Sequence, residues 1–217
     1  MLGSRVALST SMRTAIGLVF LSSASALRVC TNTACKKAGS RDTLETLRVL
    51  AACSAEASTR GATVPAATLQ AAFGASRVDS CGCLGRCGRG PNCVDDVSGE
   101  VFYDVYKPSA ATSLLEEVEH LDIPDAAVTA WLKKMYAIRS MRAGDFNEAL
   151  SLVTMALNEA GTLRTGGSHL LSLLLDLRAD IHAQLRDRQA AEADRVRAEK
   201  MRQLLPEGTS AASGIAV

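Results

Sequence analysis

The chain has 217 residues, with 24 basic and 23 acidic side chains and a formal net charge of +1. This balance argues against a protein that binds mainly nucleic acid or an anionic membrane, because both partners select strongly basic surfaces. Hydrophobic residues make up 47% of the chain, which is enough for a buried core. No apolar run reaches the roughly 20 residues that a membrane-spanning helix needs. We therefore expect no nucleic-acid partner and no transmembrane segment.

Residues 1–26 have the pattern of a targeting leader. No acidic residue precedes Asp42, a short apolar run covers 15–21, and Ala24-Ser25-Ala26 has the small-x-small form of a signal-peptidase site. The pattern resembles the bipartite plastid leaders of algae with secondary plastids. We expect an organellar destination, with the plastid favoured over the mitochondrion and the secretory route left open. The alternative is an irregular N-terminus without a targeting role.

Residues 27–122 are predicted to form an α+β domain. The expected elements, in chain order, are a strand at 27–30, a helix from Ser40 through Leu50, a strand from Val78, a hairpin with strands at Val94 and 101–106, and a helix over 108–121. The first helix is indicated by leucines at helical spacing, with Ser40 as its expected N-cap. The hairpin is indicated by Ser98-Gly99, which is typical turn chemistry.

Residues 125–204 are predicted to form helical repeats, followed by a flexible tail at 205–217. Alanine recurs at 137, 149 and 156, and again at 179, 191 and 198, so the period is 42 residues (179 minus 137). Small residues at such spacing let two antiparallel helices approach closely, and Gly144-Asp145-Phe146 supplies a turn between them. This pattern resembles tetratricopeptide (TPR) repeats. Two repeats are too few to stand alone, so we expect them to pack on the first domain or on a protein partner; the alternative is a plain helical bundle.

The cysteines carry the strongest chemical signal, and all seven lie between Cys30 and Cys93. Cys30 and Cys35 are spaced C-x4-C, and Cys83 and Cys87 are spaced C-x3-C. Two such pairs can bring four thiolates to one centre, which suits an iron–sulfur cluster or a structural zinc ion. The alternative without a metal site is that these cysteines form disulfides or remain free buried thiols.

The residues beside these cysteines fit an anionic centre. Glycines let a loop approach a cluster closely, adopt positive φ angles and donate backbone N–H groups to its sulfides. Nearby cations would stabilise the cluster charge or contact a partner. The candidate loop glycines are Gly85, Gly88 and Gly90, and the flanking cations are Lys36, Lys37, Arg86 and Arg89.

The two cysteine spacings, with Gly39-Ser40 after the first pair and Cys-Leu-Gly-x-Cys followed by Pro91 in the second, resemble the thioredoxin-like [2Fe–2S] ferredoxins. That family includes the ferredoxin subunit that accompanies the flavin subunit of respiratory NADH dehydrogenase. The resemblance covers residues 27–122 and implies a thioredoxin-like fold with one-electron transfer rather than bond-making catalysis. The cluster ligands that it implies are Cys30, Cys35, Cys83 and Cys87.

The whole chain is thus expected to be an electron carrier that contacts a protein redox partner through helices 125–204, and not an independent enzyme. The alternative is an adaptor, zinc-stabilised or without a cluster, that acts through its TPR-like helices. Cys81 and Cys93 have no counterpart in the family pattern; Cys83 is preferred to Cys81 because only Cys83 completes the Cys-Leu-Gly-x-Cys form. Cys53 and Trp131 are predicted to be core residues.

Overall fold

The computed structural model describes residues 27–58, 78–163 and 167–203. The predicted leader and tail lie outside these ranges. The strands are β1 (Leu27–Cys30), β2 (Val78–Cys81), β3 (Cys93–Asp95) and β4 (Val101–Phe102). The helices are α1 (Thr33–Lys37), α2 (Ser40–Ser58), α3 (Pro108–Val118), α4 (Asp125–Arg142), α5 (Phe146–Gly161), α6 (Ser168–Gln184) and α7 (Arg188–Gln203).

The four strands form one mixed sheet in the order β2-β1-β3-β4. Strand β1 runs parallel to β2 and antiparallel to β3, and β3 runs antiparallel to β4. The core beside the sheet is aliphatic, as expected: Leu27 and Val29 of β1, Leu47 of α2 and Leu115 of α3 are all fully buried. The described chain is thus a small mixed sheet with helices, followed by four further helices, which confirms the coarse prediction of an α+β region followed by helices.

The turn before α2 differs from the prediction. Ser40 was expected to cap the helix, but α2 begins at Ser40 itself, and its buried hydroxyl has no hydrogen-bond partner. The unpredicted short helix α1 precedes it, and Gly39 joins the two helices with a φ of +95°. Only glycine adopts that conformation without strain, so Gly39 was the available signal.

Strand β4 is shorter than predicted. It ends at Phe102 because Asp104 turns the chain with a φ of 56°. The backbone N–H groups of Asp104 and Val105 bond outside the sheet. Asp104 donates to the Arg89 carbonyl at 3.2 Å, and Val105 donates to the Pro91 carbonyl at 3.1 Å. Residues 103–107 therefore lie against the second cysteine loop.

Helix α3 is also shorter than predicted and ends at Val118. His120 has a φ of 52°, and the Leu121 N–H donates to the Leu115 carbonyl at 3.2 Å. A left-handed residue with such a backward bond closes a helix.

The helical region repeats with the predicted period. The six alanines at 137, 149, 156, 179, 191 and 198 are all buried. The turn bonds repeat as well: the Asp145 N–H donates to the Ser140 carbonyl at 2.9 Å, and the Asp187 N–H donates to the His182 carbonyl at 2.9 Å. In each hairpin the aspartate carboxylate then accepts a backbone N–H of the next helix at 3.0 Å. The second hairpin thus repeats the contacts of the first after 42 residues.

Helix α4 fastens the helical region to α2. The Trp131 indole N–H donates to the Thr46 hydroxyl at 2.9 Å, and both groups are buried. Beside it, Lys134 Nζ lies 2.8 Å from Glu45 Oε1 and 3.8 Å from the centre of the Trp131 ring. The expectation that these helices pack on the first region, with Trp131 in the core, is confirmed.

No helix in the ranges 27–58, 78–163 and 167–203 combines the length and the apolar character needed to cross a bilayer.

Candidate metal centre

The four predicted ligand cysteines lie at one end of the sheet, in two separate pairs. Cys30 ends β1, Cys35 lies in α1, and Cys83 and Cys87 lie in the loop from β2 to β3. Two backbone bonds at the end of β1 hold this loop in place: Cys30 N–H to the Asn92 carbonyl at 2.9 Å, and Thr31 N–H to the Cys81 carbonyl at 3.0 Å. The first pair of thiols is buried and the second pair is exposed.

Cys83 and Cys87 have the separation of two ligands on one tetrahedral ion. Their Sγ atoms lie 3.7 Å apart. Two thiolates bound tetrahedrally at about 2.3 Å from an ion are separated by about 3.8 Å. The exposed pair is therefore spaced as two corners of a tetrahedral thiolate site.

Backbone N–H groups point at the cysteine sulfurs. The Gly85 N–H donates to Cys83 Sγ at 3.4 Å. Cys30 accepts from the N–H groups of Asn32 and Leu84, and Cys35 accepts from that of Asn92. Such donors stabilise sulfur in its thiolate form, which is the form that binds metal.

In each pair, the hydrogen bond between the two thiols raises the pKa of one member. Burial raises the pKa of Cys30, but bonds from the Asn32 and Leu84 N–H groups and from the Cys35 thiol outweigh it and leave this pKa below its ordinary value. Burial and the hydrogen bond to Cys30 raise the pKa of Cys35 to about 11. The hydrogen bond with Cys83 raises the pKa of Cys87. A bound metal ion would compensate the thiolate charge and so oppose the raised pKa values of Cys35 and Cys87.

The three candidate glycines serve two different purposes. A Cβ on Gly90 would lie 2.9 Å from Cys35 Sγ and 3.4 Å from Cys35 Cα, so glycine permits close contact with the first cysteine pair. Gly85 and Gly88 have φ values of +71° and +103° and open space around them, so they are needed for backbone conformation.

The other three cysteines have different surroundings. Cys53 in α2 is 2% exposed and lies in the hydrophobic core, as predicted. Cys93 in β3 is fully buried, and burial raises its pKa to about 12. Cys81 stands opposite Cys30 in the β1–β2 pairing, and burial, followed by the charge of Cys30, raises its pKa.

Asn92 is a structural residue of this site that the sequence analysis missed. It is 1% exposed, and its side-chain amide donates to the Arg86 carbonyl at 2.8 Å. Its backbone carbonyl accepts a hydrogen bond from the Cys30 N–H, and its backbone N–H donates to the Cys35 sulfur. The only signal in the sequence was a polar residue directly after Gly90-Pro91, in a loop that already carried two candidate ligands.

The four predicted cations are all exposed beside the cysteines. Among the described residues, however, no three His, Cys, Asp or Glu side chains are grouped closely enough to bind one ion. The thiols of the site form two pairs, Cys30 with Cys35 and Cys83 with Cys87.

Comparison with known proteins gives no identity: no protein-family model matches this chain, and no curated protein or solved structure matches it significantly. The chemistry of the site is therefore inferred from the spacing, burial and contacts of its own residues.

Proposed function

We propose that this protein is a one-electron carrier that holds a [2Fe–2S] cluster on Cys30, Cys35, Cys83 and Cys87. Such a cluster takes up and releases a single electron without making or breaking bonds in a substrate. The observation that carries the proposal is the position of two thiol pairs at one end of the sheet, one from β1 and α1 and the other from the loop between β2 and β3.

A pairwise arrangement suits a cluster with two irons, because each iron takes two protein thiolates. The 3.7 Å separation of Cys83 and Cys87 fits one such pair of ligands. The backbone N–H groups of Asn32, Leu84 and Gly85 would stabilise the thiolates and exclude competing protonation.

The two cysteine pairs differ in burial, so only one side of the site is accessible to a partner. Cys30 and Cys35 are each 1% exposed, whereas Cys83 and Cys87 lie at the surface. An electron would enter and leave through the exposed pair, while the buried pair anchors the site to β1 and α1. One parallel and two antiparallel strand pairings, with α2 between the parallel strands, are compatible with the thioredoxin-like fold that we propose for residues 27–122.

The test is the anaerobically purified full chain, analysed for visible absorption, iron and acid-labile sulfide. We expect a coloured protein with two irons and two sulfides per chain. Cys83→Ser and Cys87→Ser should each remove most of the colour and iron. Cys81→Ser is the matched control, because Cys81 lies near the same loop and is not assigned as a ligand.

Two results would count against the proposal. A colourless protein with stoichiometric zinc and no iron would support the second candidate, a zinc-stabilised adaptor that binds partners through its helices. The two helical hairpins in residues 125–203 favour that candidate. Equal loss of iron in Cys81→Ser and Cys83→Ser would overturn the ligand assignment.

A further inference from the structure

The surface around the exposed cysteine pair is rich in positive charge. Three segments border the four cysteines: 31–38, 82–92 and 103–107. They carry five cations, Lys36, Lys37, Arg86, Arg89 and Lys107, and one carboxylate, Asp104, all of them exposed. We call the five cations the basic rim. The third segment belongs to it because Asp104 and Val105 bond to the carbonyls of Arg89 and Pro91.

Two tyrosines support cations of the basic rim. The Arg89 guanidinium lies 4.7 Å from the centre of the Tyr103 ring, and Lys107 Nζ lies 5.6 Å from that of Tyr106. These cation–π contacts limit the freedom of the two cations before any partner binds. Tyr106 is itself 55% exposed, and exposed tyrosine is typical of protein–protein interfaces.

Among the described residues, four of the five cations of the basic rim, Lys36, Lys37, Arg86 and Lys107, take part in no ion pair, whereas other cations are paired at short distance. Arg48 is bonded to Asp79 at 3.2 Å, and Arg202 is bonded to Asp176 at 2.7 Å. Arg89 is the rim cation that does have such a partner in the described residues, and its Nε lies 4.0 Å from the Asp104 carboxylate, which is too far for a hydrogen bond. A net charge of +1 for the whole chain therefore conceals a local excess of positive charge at the site.

We propose that the basic rim binds an acidic surface on the protein that exchanges electrons with this site. The proposal rests on the proposed function. Electron exchange needs a close approach to the exposed pair, and complementary charge around that pair steers and orients the encounter. A protein surface is favoured over nucleic acid, because the proposed electron exchange needs a redox-active partner.

The experiment measures binding of the full chain to flavodoxin, a small acidic redox protein, by isothermal titration calorimetry at 50 mM and 300 mM NaCl. The test variant is Arg86→Glu with Lys107→Glu. The matched control is Arg188→Glu with Lys200→Glu, which makes the same charge change at exposed positions of α7. Iron content of each variant is measured in parallel.

We expect flavodoxin to bind the wild-type chain at 50 mM NaCl and to bind more weakly at 300 mM. The test variant should weaken binding about tenfold or more, and the control less than about twofold. Absence of binding at 50 mM, equal loss in both variants, or equally tight binding of basic cytochrome c would overturn the proposal. Tighter binding of a single-stranded oligonucleotide would also overturn it, in favour of nucleic acid.

Binding and iron content separate the two proposals. A chain without iron that still binds flavodoxin through the basic rim would refute the cluster and leave the acidic partner standing. If the chain contains iron but the rim substitutions do not weaken flavodoxin binding, the cluster proposal stands and the acidic-partner proposal is refuted.

Discussion

Small residues have different purposes in the two halves of the described chain. In the helical region, Ala137, Ala149 and Ala156 are fully buried, and each lets a neighbouring helix approach. At the cysteine end of the sheet, Gly85 and Gly88 are exposed, and a side chain on either would meet nothing within 4 Å. Packing thus explains the small residues of the helices but not Gly85 and Gly88.

The difference bears on function. A surface loop with two positive φ angles and two exposed thiols adds little to the core, and its backbone N–H groups are directed to sulfur. Surface loops held in place by a scaffold are where binding residues are concentrated. We therefore expect substitutions in the helices to change the free energy of unfolding, and substitutions in the cysteine loop to change bound iron first.

Trp131→Ala should have the largest effect on folding. Removing a buried aromatic side chain costs about 4 kcal/mol, and Trp131 also bonds α4 to Thr46 of α2. Urea unfolding followed by circular dichroism should show a large loss of stability, or separate transitions for the sheet region and the helices. Trp131→Phe keeps most of the ring and should cost only about 1 to 2 kcal/mol. A cost below 1 kcal/mol for the alanine variant would show that the two regions fold independently of this contact.

Arg178→Met should have the next largest effect. Its guanidinium makes two bonds, of 2.6 and 2.7 Å, to Asp194, whose side chain is 3% exposed. Leaving that carboxylate without its main partner should cost about 3 kcal/mol. Arg195→Met is the matched control, because its contact with Asp180 is exposed and 3.8 Å long, and it should cost less than about 0.5 kcal/mol. Neither variant should lose iron; loss of iron in Arg178→Met would contradict the separation of the two halves.

Gly90→Ala should affect the cysteine end more than the helices. The new Cβ would lie 2.9 Å from Cys35 Sγ, so either the buried cysteine or the loop must move. We expect most of the bound iron to be lost, with a cost of about 2 kcal/mol in stability. Gly82→Ala is the control in the same loop, since it has open space and no positive φ, and it should retain its iron. If both variants keep their iron, the close approach of Gly90 to Cys35 is not needed by the site.

Local sequence patterns predicted what depends on neighbours along the chain. The helix periods, the Gly144-Asp145 turn and the buried alanines follow from spacing alone, and all are present in the structure. The second repeat lacks the turn glycine, but Arg186 takes the same left-handed conformation with a φ of 63°. Periodicity predicted the hairpin even where the residue usual at its turn is missing.

The sequence was less informative about loops whose conformation depends on contacts with other segments. Strand β4 ends early because the N–H groups of the residues after it, Asp104 and Val105, bond to carbonyls of the second cysteine loop. No local pattern in 101–106 indicates these long-range bonds. Asn92 was missed for the same reason, because its importance comes from contacts with Arg86 and with the first cysteine pair. The cysteine spacing indicated a site, but the loops that support it depend on contacts distant in sequence.

The smallest predicted effect is a pH dependence at the junction between the two halves. Burial lowers the pKa of His169 in α6; Glu45 of α2 opposes this shift and Lys134 of α4 adds to it. The unfolded chain therefore binds the proton first as the pH falls below about 6.5, and stability decreases until the pH passes the lower folded pKa. As the pH is lowered from about 7.5 to about 5, the urea midpoint should fall more steeply for the wild type than for His169→Gln. If His169→Gln has the same slope as the wild type, this junction contributes nothing to the pH dependence.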